Sequence, residues 1–205
     1  MLKEEKTQKI IKVLKKLFPK TKIALNYSNP IELLVAVVLS AQTTDKQVNV
    51  VTADLFKKYK ILKDYLKTSP AEFENDIKRI GLYKNKAKNI KSALETIEKD
   101  YKGKIPNSME ELVKLPGVGR KTANVLLYNI YGKTEGIAVD THVRRLAQLF
   151  GLSDSDDPTK IELDLMKQVP KKDWGEITYL LIDYGRKYCP ARCKHLECPL
   201  REFIE

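Results

Sequence analysis

The chain has 205 residues, with 38 lysines and arginines against 27 aspartates and glutamates, a formal net charge of +11 at pH 7. That length allows one sizeable core or two modest ones, and the basic excess points to a polyanionic partner, nucleic acid before an anionic membrane surface. The N-terminus mixes both charges, the apolar run Leu33–Leu39 is too short to span a bilayer, and the three cysteines crowd the C-terminal end; a secreted, disulfide-stapled or membrane-spanning protein is excluded and a soluble cytoplasmic one expected.

In chain order, apolar spacing with a period of 3.6 predicts helices over residues 3–18, 31–40, 45–59, 84–100, 120–131, 141–150, 159–168 and 173–186. In the first of these, Ile10, Leu14, Leu17 and Phe18 form a stripe suited to a protein core rather than to a membrane surface. Asn29 before Pro30 and Asp157 before Pro158 read as N-caps followed by proline at the first helical position. Ser69–Glu72 and Ser108–Glu111 read as capping boxes. The run Gly136–Val139 is a linker and no strand is predicted. The expected fold class is all-α, with many short helices and tight loops.

The stretch LPGVGRKTAN, from Leu115 to Asn124, carries the first chemical signal. A glycine turn closes one short helix, and a second helix begins at once with Arg120 and Lys121. A helix N-terminus is the positive end of the macrodipole and favours acidic residues, so a lysine there is electrostatically misplaced. Gly117 and Gly119 permit positive φ and close backbone approach, and first-turn N–H groups can hold a phosphate. Either this is an αα-hairpin that only packs, or it is a DNA-phosphate site that positions without reading sequence.

The run LPGVGRKTANVLL followed by IAVDTHVRRL resembles the helix–hairpin–helix and aspartate-bearing loop of the endonuclease III family of DNA glycosylases. LLVAVVLSAQTTDKQVN (33–49) and IGLYKNKAKNI (80–90) resemble the same family, in its order and spacing. The resemblance covers nearly the whole chain from residue 10 to 200. It implies that Lys121 is the nucleophile of a bifunctional DNA N-glycosylase and AP lyase acting on oxidised pyrimidines. An amine must be neutral to attack carbon. A helix N-terminus, Arg120 and partial desolvation would all disfavour the ammonium form. The plainer alternative is a phosphate-binding lysine.

Asp140 opens the helical pattern that runs to Phe150, where its local role is an N-cap. The resemblance gives it a second role, helping to generate the amine and stabilising positive charge at the sugar C1′. The damaged base would be flipped into a pocket. Lys121 would displace it and form a Schiff base, and β-elimination would cut on the 3′ side without a metal or diffusible cofactor. His142 is structural or faces a phosphate. Arg120, Gly117 and Gly119 join it as expected DNA contacts.

The resemblance also assigns Gln42 to the space a flipped base leaves, and Leu82 to an apolar wedge beside it. Gln42 can donate and accept toward an orphaned base. Leu82 is equally readable as a buried staple for the helix that follows it.

The C-terminal stretch CPARCKHLECPL begins and ends like the family's four-cysteine loop, which holds a structural four-iron, four-sulfur cluster. The family spaces its cysteines by six, two and five residues. Here Cys189, Cys193 and Cys198 are spaced by three and four, and Ile204 stands where the last cysteine is expected. His195 is a candidate fourth ligand. An iron–sulfur cluster, zinc and no metal all remain open.

The expected arrangement is a helical barrel lobe over residues 22–134 and a second lobe of 1–21 and 135–205, with the active site in the cleft between them. The expected partner is damaged double-stranded DNA, bound by a monomer near the nucleoid. Two alternatives are a monofunctional mismatch or adenine glycosylase, which generally lacks a lysine at the hairpin position, and a non-catalytic helix–hairpin–helix DNA-binding module.

Overall fold

The computed structural model describes residues 2–204, and among them every regular element is helical. The chain divides into two compact units, one over Ala24–Tyr131 and the other formed by residues up to Ile23 together with those from Gly132 onward.

The first unit is built around one helix. Asn29 Oδ1 accepts from the Glu32 N–H at 3.0 Å, Pro30 occupies the first helical position, and α2 runs Pro30–Leu39. Every residue of it from Glu32 to Leu39 is buried. A helix that is apolar on all sides must be surrounded, and α3 (Asp45–Lys58), α6 (Tyr83–Tyr101) and α8 (Arg120–Tyr131) pack on it. The short helices α4 (Leu62–Lys67) and α5 (Pro70–Asp76) lie on α6, and α7 (Met109–Leu112) packs on α8. Tyr59, Tyr65 and Phe73 form an aromatic cluster with ring centroids 4.9 to 6.0 Å apart.

The second unit returns the N-terminal helix to the end of the chain. Helix α1 (Lys3–Leu17) packs on α10 (Pro158–Gln168) and α11 (Trp174–Lys187), and α9 (Thr141–Leu149) packs on both of those. Ile10 and Leu14 are buried with Val143, Leu146, Phe150, Leu165 and Leu181, while Leu17 and Phe18 pack partly exposed against that core. Polar ties fix the register of α1. Lys15 Nζ meets Asp173 at 2.6 Å and Glu176 at 2.9 Å, and Thr21 donates to Asp183 at 2.7 Å. The hydrogen bonds to Asp173 and then Glu176 raise the Lys15 pKa.

The predicted caps are present: Ser69 and Asp157 accept from backbone N–H groups of their first turns, as does Ser108. Helix α4 was not anticipated. Its start is held by Asp64, whose Oδ2 reaches back to the N–H groups of Lys60 and Ile61 at 2.9 and 3.1 Å. No Ser, Thr, Asn or Asp precedes it to announce the cap.

Candidate functional site

The hairpin between α7 and α8 is anchored by Leu112, Leu115 and Val118, which are all buried. Gly117 is required twice over. Its φ is +79°, and a Cβ there would stand 3.0 Å from Asn89 Cβ on α6. Gly119 is different: a Cβ would meet nothing within 4 Å. Its carbonyl accepts the first helical bond from the Ala123 N–H at 2.9 Å, so the first turn of α8 begins at a bare, exposed backbone.

Arg120 and Lys121 sit on that turn with exposed side chains. The buried face of α8 starts only at Ala123. The expected partial desolvation of Lys121 is therefore not supplied by the chain itself. If the amine is desolvated, whatever binds over the exposed turn must exclude the water.

Asp140 lies in the other compact unit, at the N-terminus of α9, where its Oδ1 accepts from the Val143 N–H at 2.8 Å. One carboxylate oxygen is thereby oriented by the backbone, while Oδ2 takes no part in that bond. His142, on the first turn of the same helix, is half-buried against α11. A Cβ on Gly185 would stand 2.8 Å from His142 Nδ1 and 3.2 Å from Arg145 Nη2.

Gln42 and Leu82 share an unusual backbone. Both are non-glycine residues in the left-handed region, at φ +54° and +57°, and both are exposed. Leu82 is 60% exposed, so it is not the buried staple of α6. The two loops adjoin: a Cβ on Gly81 would lie 3.8 Å from Thr43 Oγ1 and 3.9 Å from the Gln42 carbonyl oxygen. Such backbone strain persists only where the surroundings hold it.

What holds it was missed in the sequence. Lys86 on α6 is buried, and its ammonium donates to the Leu39 carbonyl at 2.8 Å and to Thr43 Oγ1 at 3.0 Å. Gln47 Nε2 adds a bond to the Arg79 carbonyl at 3.3 Å. The signal was present: Lys86 lies on the same helical face as Ala87, Ile90 and Leu94, so a lysine interrupts an apolar stripe. Helix α6 thus carries Leu82 at its N-terminus and, two turns later, Asn89 against Gly117, about 10 Å along the axis.

Near the C-terminus Cys189, Cys193, His195 and Cys198 converge, with one ligand atom from each and all four within 4.8 Å of one another. The group could hold a metal. The His195 N–H points at Cys193 Sγ from 3.3 Å and, with Cys198, holds that thiol below its ordinary pKa. Arg145 braces the loop through the Cys189 carbonyl at 2.5 Å.

Comparisons with known proteins agree in one direction. Residues 35–171 match the model of the HhH-GPD superfamily base excision DNA repair proteins. An endonuclease III of Bacillus subtilis is 50% identical, covering 90% of this chain and 84% of its own. One from Synechocystis is 45% identical, covering 93% and 87%. Among solved structures, a trapped endonuclease III–DNA covalent intermediate superimposes with a TM-score of 0.94 at 42% identity, covering 100% of this chain and 97% of that one. A thermostable thymine-DNA glycosylase, at 23% identity and a TM-score of 0.85, shares the fold.

Proposed function

The chain belongs to the HhH-GPD superfamily of base excision DNA repair proteins, in its endonuclease III family, and from that membership we propose how it acts. It is a base-excision-repair enzyme, a DNA N-glycosylase and AP lyase that binds damaged duplex DNA. Its substrates are oxidised pyrimidines, and it works in the cytoplasm, where the nucleoid lies.

The observation that carries the reading is Lys121, exposed on the first turn of α8 two residues after Gly119, whose backbone is open to a close approach. The turn binds a phosphate of the duplex through its N–H groups and Arg120. Once DNA covers it, the amine is desolvated beside a helix N-terminus, and both effects favour its neutral form. Lys121 Nζ bonds to C1′ as the bond from C1′ to the base breaks, and the opened sugar is left as a Schiff base. Loss of a C2′ proton then expels the 3′ phosphate. Asp140, oriented by its cap, supplies the carboxylate that helps free the amine and offsets charge at C1′. Gln42 and Leu82 fill the gap in the stack. The cysteine loop takes no part in these steps. The family resemblance offers an iron–sulfur cluster as its occupant, and its geometry offers another.

Borohydride trapping on duplex DNA with one abasic site tests the reading. Wild type gives a covalent adduct and Lys121→Gln gives none. A folded wild-type protein that binds the DNA yet forms no adduct sinks the bifunctional mechanism and leaves a water-using glycosylase or a binding module.

A further inference from the structure

The four donors near the C-terminus are packed too closely for a cage of several irons. Cys193 Sγ lies 3.3 Å from Cys198 Sγ, and His195 Nδ1 lies 3.4 Å from Cys189 Sγ and 3.7 Å from Cys198 Sγ. The longest separation among the four ligand atoms is within 4.8 Å. In a four-iron cluster each ligand binds a different iron, so the ligand sulfurs stand apart by on the order of 6 Å with the cage between them. Around a single tetrahedral ion with metal–sulfur bonds of about 2.3 Å, the sulfurs stand about 3.8 Å apart, with a nitrogen ligand slightly closer. The observed separations, from 3.3 Å up to at most 4.8 Å, bracket the second case and fall short of the first.

The donor chemistry points the same way. Three thiolates and one imidazole in tetrahedral array are a closed zinc site, with no coordination position left for a substrate. His195 is placed for the role. It adopts a left-handed backbone, φ +57°, which turns Nδ1 toward the sulfurs while its N–H points at Cys193 Sγ. Binding would release the thiol protons to solvent and leave three thiolates balancing the dication. Between the ligands the loop has little packing of its own: Ala191, Arg192, Lys194, Leu196 and Glu197 are exposed, while Cys189 and Cys198 are buried at the edge of the unit's apolar core.

We propose that Cys189, Cys193, His195 and Cys198 bind one structural zinc ion in place of an iron–sulfur cluster, with His195 Nδ1 as the fourth ligand. The inference does not depend on the role of Lys121, and its test reads metal rather than activity.

The protein is produced in medium supplied with both iron and zinc, purified without oxygen, and analysed for metals and acid-labile sulfide. The expected result is about one zinc per chain, no sulfide, and no absorbance near 400 nm. Iron and sulfide in equal, multiple amounts overturn the proposal, and so does a folded protein that holds no stoichiometric metal. Competition with a chromophoric zinc chelator tests the fourth ligand. His195→Ala is expected to weaken zinc binding at least tenfold, and His195→Cys to restore it; an affinity unchanged by His195→Ala removes His195 from the site.

Discussion

The Lys86 ammonium lies 2.8 Å from the Leu39 carbonyl oxygen, so the C-terminal end of α2 is capped by a lysine from α6. The same ammonium reaches Thr43 beside Gln42, and Leu82 sits one helical turn before it. One buried charge therefore ties together the two left-handed loops that present Gln42 and Leu82. Lys91 repeats the arrangement further along α6, donating to the Tyr65 and Thr68 carbonyls at the end of α4.

Lys86→Met keeps the volume and leaves a carbonyl unpaired, at a cost of about 1–3 kcal/mol. Burial lowers the Lys86 pKa. The ammonium is thus penalised in the folded state, fully so below the lowered pKa. That penalty fades as pH rises through the lowered value toward 10.5. The gap between wild type and variant in urea unfolding should widen from pH 7 to pH 10; a constant gap would mean that the charge is not desolvated.

Asp140→Asn separates capping from chemistry. Asparagine caps as well as aspartate does, so thermal stability should hold while base release falls at least tenfold. Asp140→Ala should lose the activity and also about 1 kcal/mol of stability. An asparagine variant with full activity would remove the carboxylate from the mechanism.

Leu82→Gly and Gln42→Gly place glycine where φ is already positive, so neither should lower the melting temperature, and either could gain up to about 1 kcal/mol. Excision from damaged duplex should drop, because the side chains that offset unstacking are gone. Full duplex activity in both would refute the gap-filling assignment.

Gly185→Ala tests the close crossing of α9 and α11. A methyl group at 2.8 Å from His142 Nδ1 forces the His142 ring out of its place against α11, which should cost about 1–3 kcal/mol. Calorimetry reads the loss. His142→Ala in the same chain should recover part of it, because the ring that clashes is removed.

Local sequence was enough for the long helices and for the chemistry of single residues. Both are local: the 3.6-residue period placed the long helices, Asn29 and Ser69 announced their caps, and the misplaced Lys121 stood out against the macrodipole. What it left open depended on residues far apart in the chain. Whether Leu82 is a buried staple turned on its exposure, and whether Lys86 is a surface charge turned on where α2 ends. That Lys121 is exposed in the free chain was hidden for the same reason, since burial belongs to the packing of α8 and not to its sequence. The cysteine loop shows the limit most plainly. Its spacing was compatible with several occupants, and only three-dimensional placement brought a histidine nitrogen and three sulfurs within 4.8 Å.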